Sequence, residues 1–246
     1  MEKAINDFTI TVGANGDYPS LQSALNYVSA LQHTNGVTGT IQLLSGYSLS
    51  GTTTIKNVDL SWCQITGQDA VTTGTTSGSW QYIFVINNAK TPIFNQSITI
   101  NGGVNSVMFT LENGSTIFFG ASKSFIHNGN LSFIIFAAAN SSVVGSSNTF
   151  QAGTGPLYTT SAYINLPNST FVSTQPYGGS GAPYSPIRIT GGTAYIPNPT
   201  IDSADYPIKL DVLGGAIVTA NNMPDSPSQT ANILTANGII FDSNKP

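Results

Sequence analysis

Asp202 and Asp205 are the closest acidic pair in the chain, in the segment Ile201-Asp-Ser-Ala-Asp-Tyr-Pro207. Two carboxylates are what glycoside hydrolysis requires, about 5–5.5 Å apart for retention and about 6.5–9.5 Å apart for inversion. Three apart on a strand, the two face opposite sides; on a turn they converge. An Asp before Ser and an Asp before Tyr-Pro also cap backbone amides, and that structural role is the expected one. Glu112 precedes the turn Asn113-Gly114, and Asp59 and Asp211 lie in strand-like segments, Asp211 within reach of Lys209 on the same face. Carboxylates from different subunits could also meet in a groove between chains. Arg188, in Pro186-Ile-Arg-Ile189, is the one basic residue in a strand pattern, and its sequence neighbours supply no acidic site.

Sugar binding asks for less than sugar cleavage. Flat aromatic faces pack on the apolar side of a pyranose, while amides and hydroxyls satisfy its hydroxyl groups. Two segments have that character. Thr72 to Tyr82 is rich in Gly, Ser and Thr and ends on Trp80-Gln-Tyr82; Gln175 to Tyr184 sets Tyr177 and Tyr184 among Gly and Pro. With Arg188, the four aromatics Trp80, Tyr82, Tyr177 and Tyr184 are the candidate glycan-binding residues. Trp80 and Tyr82 read equally well as core or subunit-contact residues. His33 and His127 are the only histidines and Cys63 the only cysteine, so neither a metal site nor a disulfide is expected. His33 suits a helix C-terminus and His127, before Asn128-Gly129, suits a turn. There is no Ser-His-Asp arrangement and no phosphate loop, and no cofactor is expected.

The elements that would position these residues are nearly all strands. Among 246 residues, 40% are hydrophobic and only 7% charged, with Ser, Thr, Asn and Gly in the place of charge. That composition argues against disorder and suits strands joined by tight turns. Seven Lys and Arg without a cluster, at net charge −4, argue against nucleic-acid binding. The longest apolar run, Phe133 to Ala139, is far short of the ~18 residues of a membrane helix, so no membrane insertion is expected. The N-terminus lacks the basic start and apolar run of a signal peptide, which implies synthesis in a cytoplasm. Leu21, Ala24, Leu25, Val28 and Leu31 form one apolar helical face, with Pro19-Ser20 at its start, Asp17 near its positive end and Asn35-Gly36 as a stop.

Beyond residue 41 the chain alternates short strand and turn. Six turns share a form, two small residues and then a β-rich run, and begin at 113, 140, 168, 191, 214 and 237, at intervals of 27, 28, 23, 23 and 23. A period in this range signals a solenoid; helical repeats are excluded by the absence of helical periodicity, and propeller blades are longer. A β-helix fits, with coils stacked at ~4.8 Å and the helix capping the exposed edges of the first coil.

The segment Gly16-Asp-Tyr-Pro-Ser-Leu-Gln-Ser-Ala-Leu25 resembles the opening of pectate-lyase-like β-helix proteins. Ile41 to Leu49, with its alternating aliphatics, Gly46 and Tyr47, is similar to that family's first coil, and Val58 to Gly67 to the next strand and its closing Gly. The resemblance covers residues 16–67. It implies an all-β, single-stranded right-handed parallel β-helix of about eight coils, with an arm over 1–15, a capping-helix segment over 16–40 and the β-helix over 41–246. Within that superfamily the chain is closest in character to phage tailspikes and head or tail spikes. This likeness implies a homotrimer on the surface of a virion, joined to it by an attachment protein and binding host capsule or lipopolysaccharide. Adsorption without cleavage is the leading expectation; a polysaccharide depolymerase and a purely structural spike are the alternatives on the same scaffold.

Overall fold

The computed structural model describes residues 2–67, 71–73, 81–101, 106–129, 132–174, 185–203, 210–219 and 233–241. Among them there is one helix, Leu21–Ser29, and otherwise strands. Every strand pairing recorded among these residues is parallel.

The pairings form three ladders. The first begins on Phe8–Val12 and continues through Gly39–Leu43, Cys63–Gly67, Lys90–Phe94, Thr116–Phe119 and Ser142–Val144. The second runs from Ser48–Leu49 through Val71–Thr73, Ile98–Ile100, Ser124–His127, Thr149–Ala152 and Thr170–Ser173 to Thr200–Ser203. The third runs from Thr53–Lys56 through Gln81–Asn87, Ser106–Glu112 and Phe133–Ala137. The long strands Gly155–Asn165 and Ile187–Tyr195 turn a corner: their first halves continue the third ladder and their second halves the first. Leu210–Leu213 and Ile233–Ala236 then extend the third, and Ile217–Thr219 and Ile239–Phe241 the first. The chain thus visits the ladders in rotation and each strand pairs with one a circuit away, an arrangement compatible with an all-β solenoid.

Alternation decides which side chains enter the core. Ile10, Ile41 and Ile65 are register partners on the first ladder, Phe125, Phe150 and Phe171 on the second, and Phe84 and Phe109 on the third, all buried. The phenylalanines tie the ladders to one another. The ring of Phe109 stacks on Phe84 at 5.0 Å and meets Phe94, Phe119 and Phe125 edge-on at 5.1, 5.3 and 5.7 Å. Each such ring contributes about 2–3 kcal/mol through burial, with a further increment from ring geometry.

The corner between the third and first ladders needs a left-handed residue on every circuit. Asn57, Asn88, Asn113, Asn140, Ser161, Gly191, Gly214 and Asn237 supply it, with φ between 49° and 70°. Asn and Gly tolerate this region best, and Asn side chains bridge circuits, as from Asn88 Nδ2 to Asn57 Oδ1 at 3.0 Å. One member of the sequence repeat belongs elsewhere. Asn168 sits at the corner between the first and second ladders, where its side chain accepts a hydrogen bond from Asn198 at 2.9 Å. Its place in the column is taken by Ser161, whose carbonyl accepts from the amide of Asn140. Both corners demand the same backbone conformation and so recruit the same residue types, which is why their turns look alike in sequence.

The helix starts as its sequence predicts. Ser20 and Ser23 form a capping box, and Leu21, Ala24, Leu25 and Val28 are buried. It closes at Ala30, short of Asn35-Gly36, because Gln32–His33 leaves to pair with Lys3–Ala4. His33 therefore stands past the helix, its ring stacked on Trp62 at 4.5 Å. Asp17 turns to Thr11 and not to the helix: its carboxylate accepts from the Thr11 amide at 2.8 Å and hydroxyl at 2.7 Å, which holds its pKa below the ordinary value. Residues 8–12, inside the segment 1–15, are the end strand of the first ladder. The end strand of the third ladder is closed by one side chain. Gln22 accepts from the Thr54 amide at 2.7 Å and donates to the Thr54 carbonyl at 3.1 Å, in the manner of a further strand.

Candidate functional site

The third ladder carries the most chemistry on its outer side. Inward residues on its strands flank an outward column in which Val85, Thr110, Phe136, Tyr158, Arg188 and Asp211 are successive register partners. A second outward column, at the strand starts, holds Tyr82, Val107, Phe133 and Gly155. Tyr82 and Arg188, two of the residues singled out from sequence, therefore share one face. They lie four strand spacings apart, about 19 Å along the stack. Trp80, Tyr177, Tyr184 and Asp205 lie outside the described residues, as does Lys209.

Between Tyr82 and Arg188 the aromatic rings are ordered by the ladder. Phe136 and Tyr158 stack nearly parallel, 5.4 Å apart at 8°, and Phe133 meets Tyr158 edge-on at 6.4 Å. Gly155 makes room for Phe133, since a Cβ there would lie 3.3 Å from its ring. The guanidinium of Arg188 lies 5.5 Å from the centre of the Tyr158 ring, within cation–π range, and its Nε is 3.3 Å from Asp211 Oδ2. The acidic neighbour that Arg188 lacks in sequence is thus supplied by the next circuit.

Asp211 has a side chain only 4% exposed. Burial pushes its carboxyl above the ordinary value, opposed by the charge of Arg188. Among the described residues its Oδ1, and Thr110 Oγ1 in the same column, are buried acceptors without a hydrogen-bond partner. Tyr82 is the exposed aromatic of this face, at 42%. Sequence reading does not single out Phe133, Phe136 or Tyr158, and it sets Asp211 beside Lys209 rather than Arg188. Alternation against the inward Ile135 and Leu157 gives the outward direction of Phe136 and Tyr158, but only the register shows that they are neighbours.

The remaining described carboxylates lie away from the Arg188–Asp211 pair. Asp202 points outward from the second ladder, paired in register with Val172, and no described carboxylate lies on that face with it. Asp59 accepts from Lys90 at 2.7 Å, Glu112 from Asn87 at 3.1 Å and Asp7 from the Thr38 amide at 2.7 Å. No group of three His, Cys, Asp or Glu among the described residues is placed to hold a metal ion.

A serine and a histidine do meet, where sequence shows only a turn residue. His127 Nε2 is 2.5 Å from Ser106 Oγ, and both side chains are buried. The amide of Gly129 donates to His127 Nδ1 at 3.1 Å. That bond makes Nδ1 the acceptor and leaves the ring proton on Nε2, so the imidazole donates to Ser106 and cannot take its proton. The pair is a buried polar tie between the second and third ladders. Burial pushes the His127 pKa down to about 4. The unfolded chain then binds a proton near pH 6.5 while the folded chain does so only near 4, and stability is lost as pH falls through that window. The free energy of unfolding is expected to be about 2–3 kcal/mol lower at pH 4.5 than at pH 8 from this group. Urea titrations at the two pH values check it; a His127→Gln variant with the same pH slope as the wild type would remove His127 as the cause.

Comparison with known proteins finds no matching family model, no similar curated protein and no similar solved structure.

Proposed function

We propose that this protein is a spike or fibre of a phage or phage-like particle that adsorbs to host cell-surface polysaccharide, capsule or lipopolysaccharide, without cleaving it. In this reading the three ladders are the faces of a right-handed parallel β-helix of about eight coils, of the pectate-lyase-like kind. The right hand follows the rule that parallel crossovers obey in about 98% of cases. Three chains make the spike, which stands on the virion surface through an attachment protein.

The observation that carries the reading is the outer face of the third ladder. It holds Tyr82, Phe133, Phe136, Tyr158 and Arg188 on four of five successive strands of a rigid stack. Aromatic side chains with one cation suit an extended glycan, and the stack presents them already ordered, which lowers the entropy lost on binding. Repetition across several chains would raise weak single-site affinity by avidity. A depolymerase on the same face is the second reading, favoured by the position of Asp211, a carboxylate that the register sets beside the aromatic rungs and 3.3 Å from Arg188.

A host-glycan array separates these. Binding by the wild type and a roughly tenfold loss on Tyr82→Ala are expected, the effect of one stacking ring. Reducing ends or unsaturated products after incubation with a bound glycan would establish the depolymerase. No binding to any capsule or lipopolysaccharide would sink both and leave a structural spike.

A further inference from the structure

Among the described residues, most of the large apolar side chains left in solvent fall on one surface, and it is not the face just described. Among the described residues Ile5, Tyr82, Ile93, Tyr163, Tyr195, Ile217 and Ile239 are exposed, and the last five all point outward from the first ladder. Register places them in two adjacent columns. Tyr163, Thr193, Ile217 and Ile239 follow one another in one. Ile93 opens the other, which passes through Phe118 and Asn165 to Tyr195. Beyond the Lys90–Asp59 pair at the start of this strip, neither column contains an Asp, Glu, Lys or Arg.

We infer that this strip is where parallel copies of this chain pack side by side. The inference rests on the oligomeric part of the spike reading and not on glycan binding. Three features favour a second copy over another occupant. The chain carries net charge −4, and beyond the Lys90–Asp59 pair the strip has no charged side chain, so copies that meet through it set no like charges against each other. Three of the strip's five exposed side chains, Ile93, Ile217 and Ile239, are branched aliphatics that offer a sugar neither a flat ring nor a hydrogen bond, and they outnumber Tyr163 and Tyr195 beside them. The apolar residues also grade along the axis, from the charged Asp59–Lys90 end to Ile217 and Ile239. Parallel chains match that gradient rung for rung, whereas antiparallel chains would set Ile239 against the charged end.

From Ile93 to Ile239 the strip crosses six strand spacings, about 29 Å, and it is about 10 Å wide. That outline, about 300 Å², is the size of an apolar interface centre; the Thr, Ser and Asn at its margins would supply the rim of the ~800 Å² each partner buries in a stable assembly.

Light scattering on the purified full chain tests this. The wild type is expected at three times the 25.7 kDa chain mass. Ile217→Asp with Ile239→Asp should weaken association at least about 100-fold, to the single-chain mass, because two apolar anchors become charges that face their own copies. Tyr195→Lys tests the same face by a separate change, and Thr200→Asp, outward on the second ladder, should leave the mass unaltered. Far-UV circular dichroism should be unchanged throughout, since all four positions are exposed. A single-chain mass for the wild type would overturn the face and the oligomer together. Strip variants that keep the wild-type mass would overturn the face alone. Strip variants that keep that mass but lose glycan binding would assign the strip to the glycan and also overturn the proposal.

Discussion

Phe109→Ala is expected to lower the free energy of unfolding by about 4 kcal/mol, with a fall in Tm of roughly 10 °C. Phe109 is fully buried and is a ring at which all three ladders meet. Phe84 is stacked on it from the same ladder, Phe94 and Phe119 reach it from the first, and Phe125 from the second. Truncation loses the transfer energy of the ring and leaves a cavity that hydrogen-bonded strands on every side cannot close. The outward Val172 on the second ladder, only half-buried, should cost far less on the same substitution. Denaturant unfolding measures both. A loss of under ~1 kcal/mol for Phe109→Ala would mean that the ladders do not depend on the shared phenylalanine core.

Gly192→Ala is the second large effect, expected at about 3 kcal/mol or more. Gly192 has φ +80°, and a Cβ there would stand 2.1 Å from the carbonyl oxygen and 2.6 Å from the amide nitrogen of Ala162, its register partner. The obstacle is backbone, so no side-chain rotation relieves it. The long strands Gly155–Asn165 and Ile187–Tyr195 round the corner together here, and the first ladder would have to part from its neighbour to admit a methyl group. Gly215 provides the comparison. It has φ +76°, but its nearest neighbour is 3.9 Å away, so Gly215→Ala should cost only the left-handed backbone term, about 1–2 kcal/mol. Equal losses at the two positions would show that backbone conformation, and not the approach of Ala162, sets the requirement at Gly192.

Much of this architecture is legible in the residues. The buried helix face is set by the spacing of Leu21, Ala24, Leu25 and Val28, because a 3.6-residue period leaves one side apolar. The strand-and-turn character follows from scarce charge and from Asn and Gly at left-handed positions. Inward and outward directions within a strand follow from alternation, so that Ile135 and Leu157 enter the core while Phe136 and Tyr158 leave it. All of these are local properties, decided within a few residues.

Which residues meet across circuits is not local. Arg188 and Asp211 pair, Ser106 meets His127, and Ser161 takes the corner that the turn spacing gives to Asn168. The charge-poor aromatic face and the exposed apolar strip arise in the same way, from stacking one circuit upon another. Circuits differ in length, from Asn140 to Ser161 at one corner and from Ser161 to Gly191 at the next, and a change of one residue in register would turn every side chain of a strand to the other face. By itself, then, the sequence determined the kinds of element and which side of each is apolar. Only the tertiary structure decided the register, because register depends on how hydrogen-bonded backbones of unequal circuits align, and through it which side chains share a face.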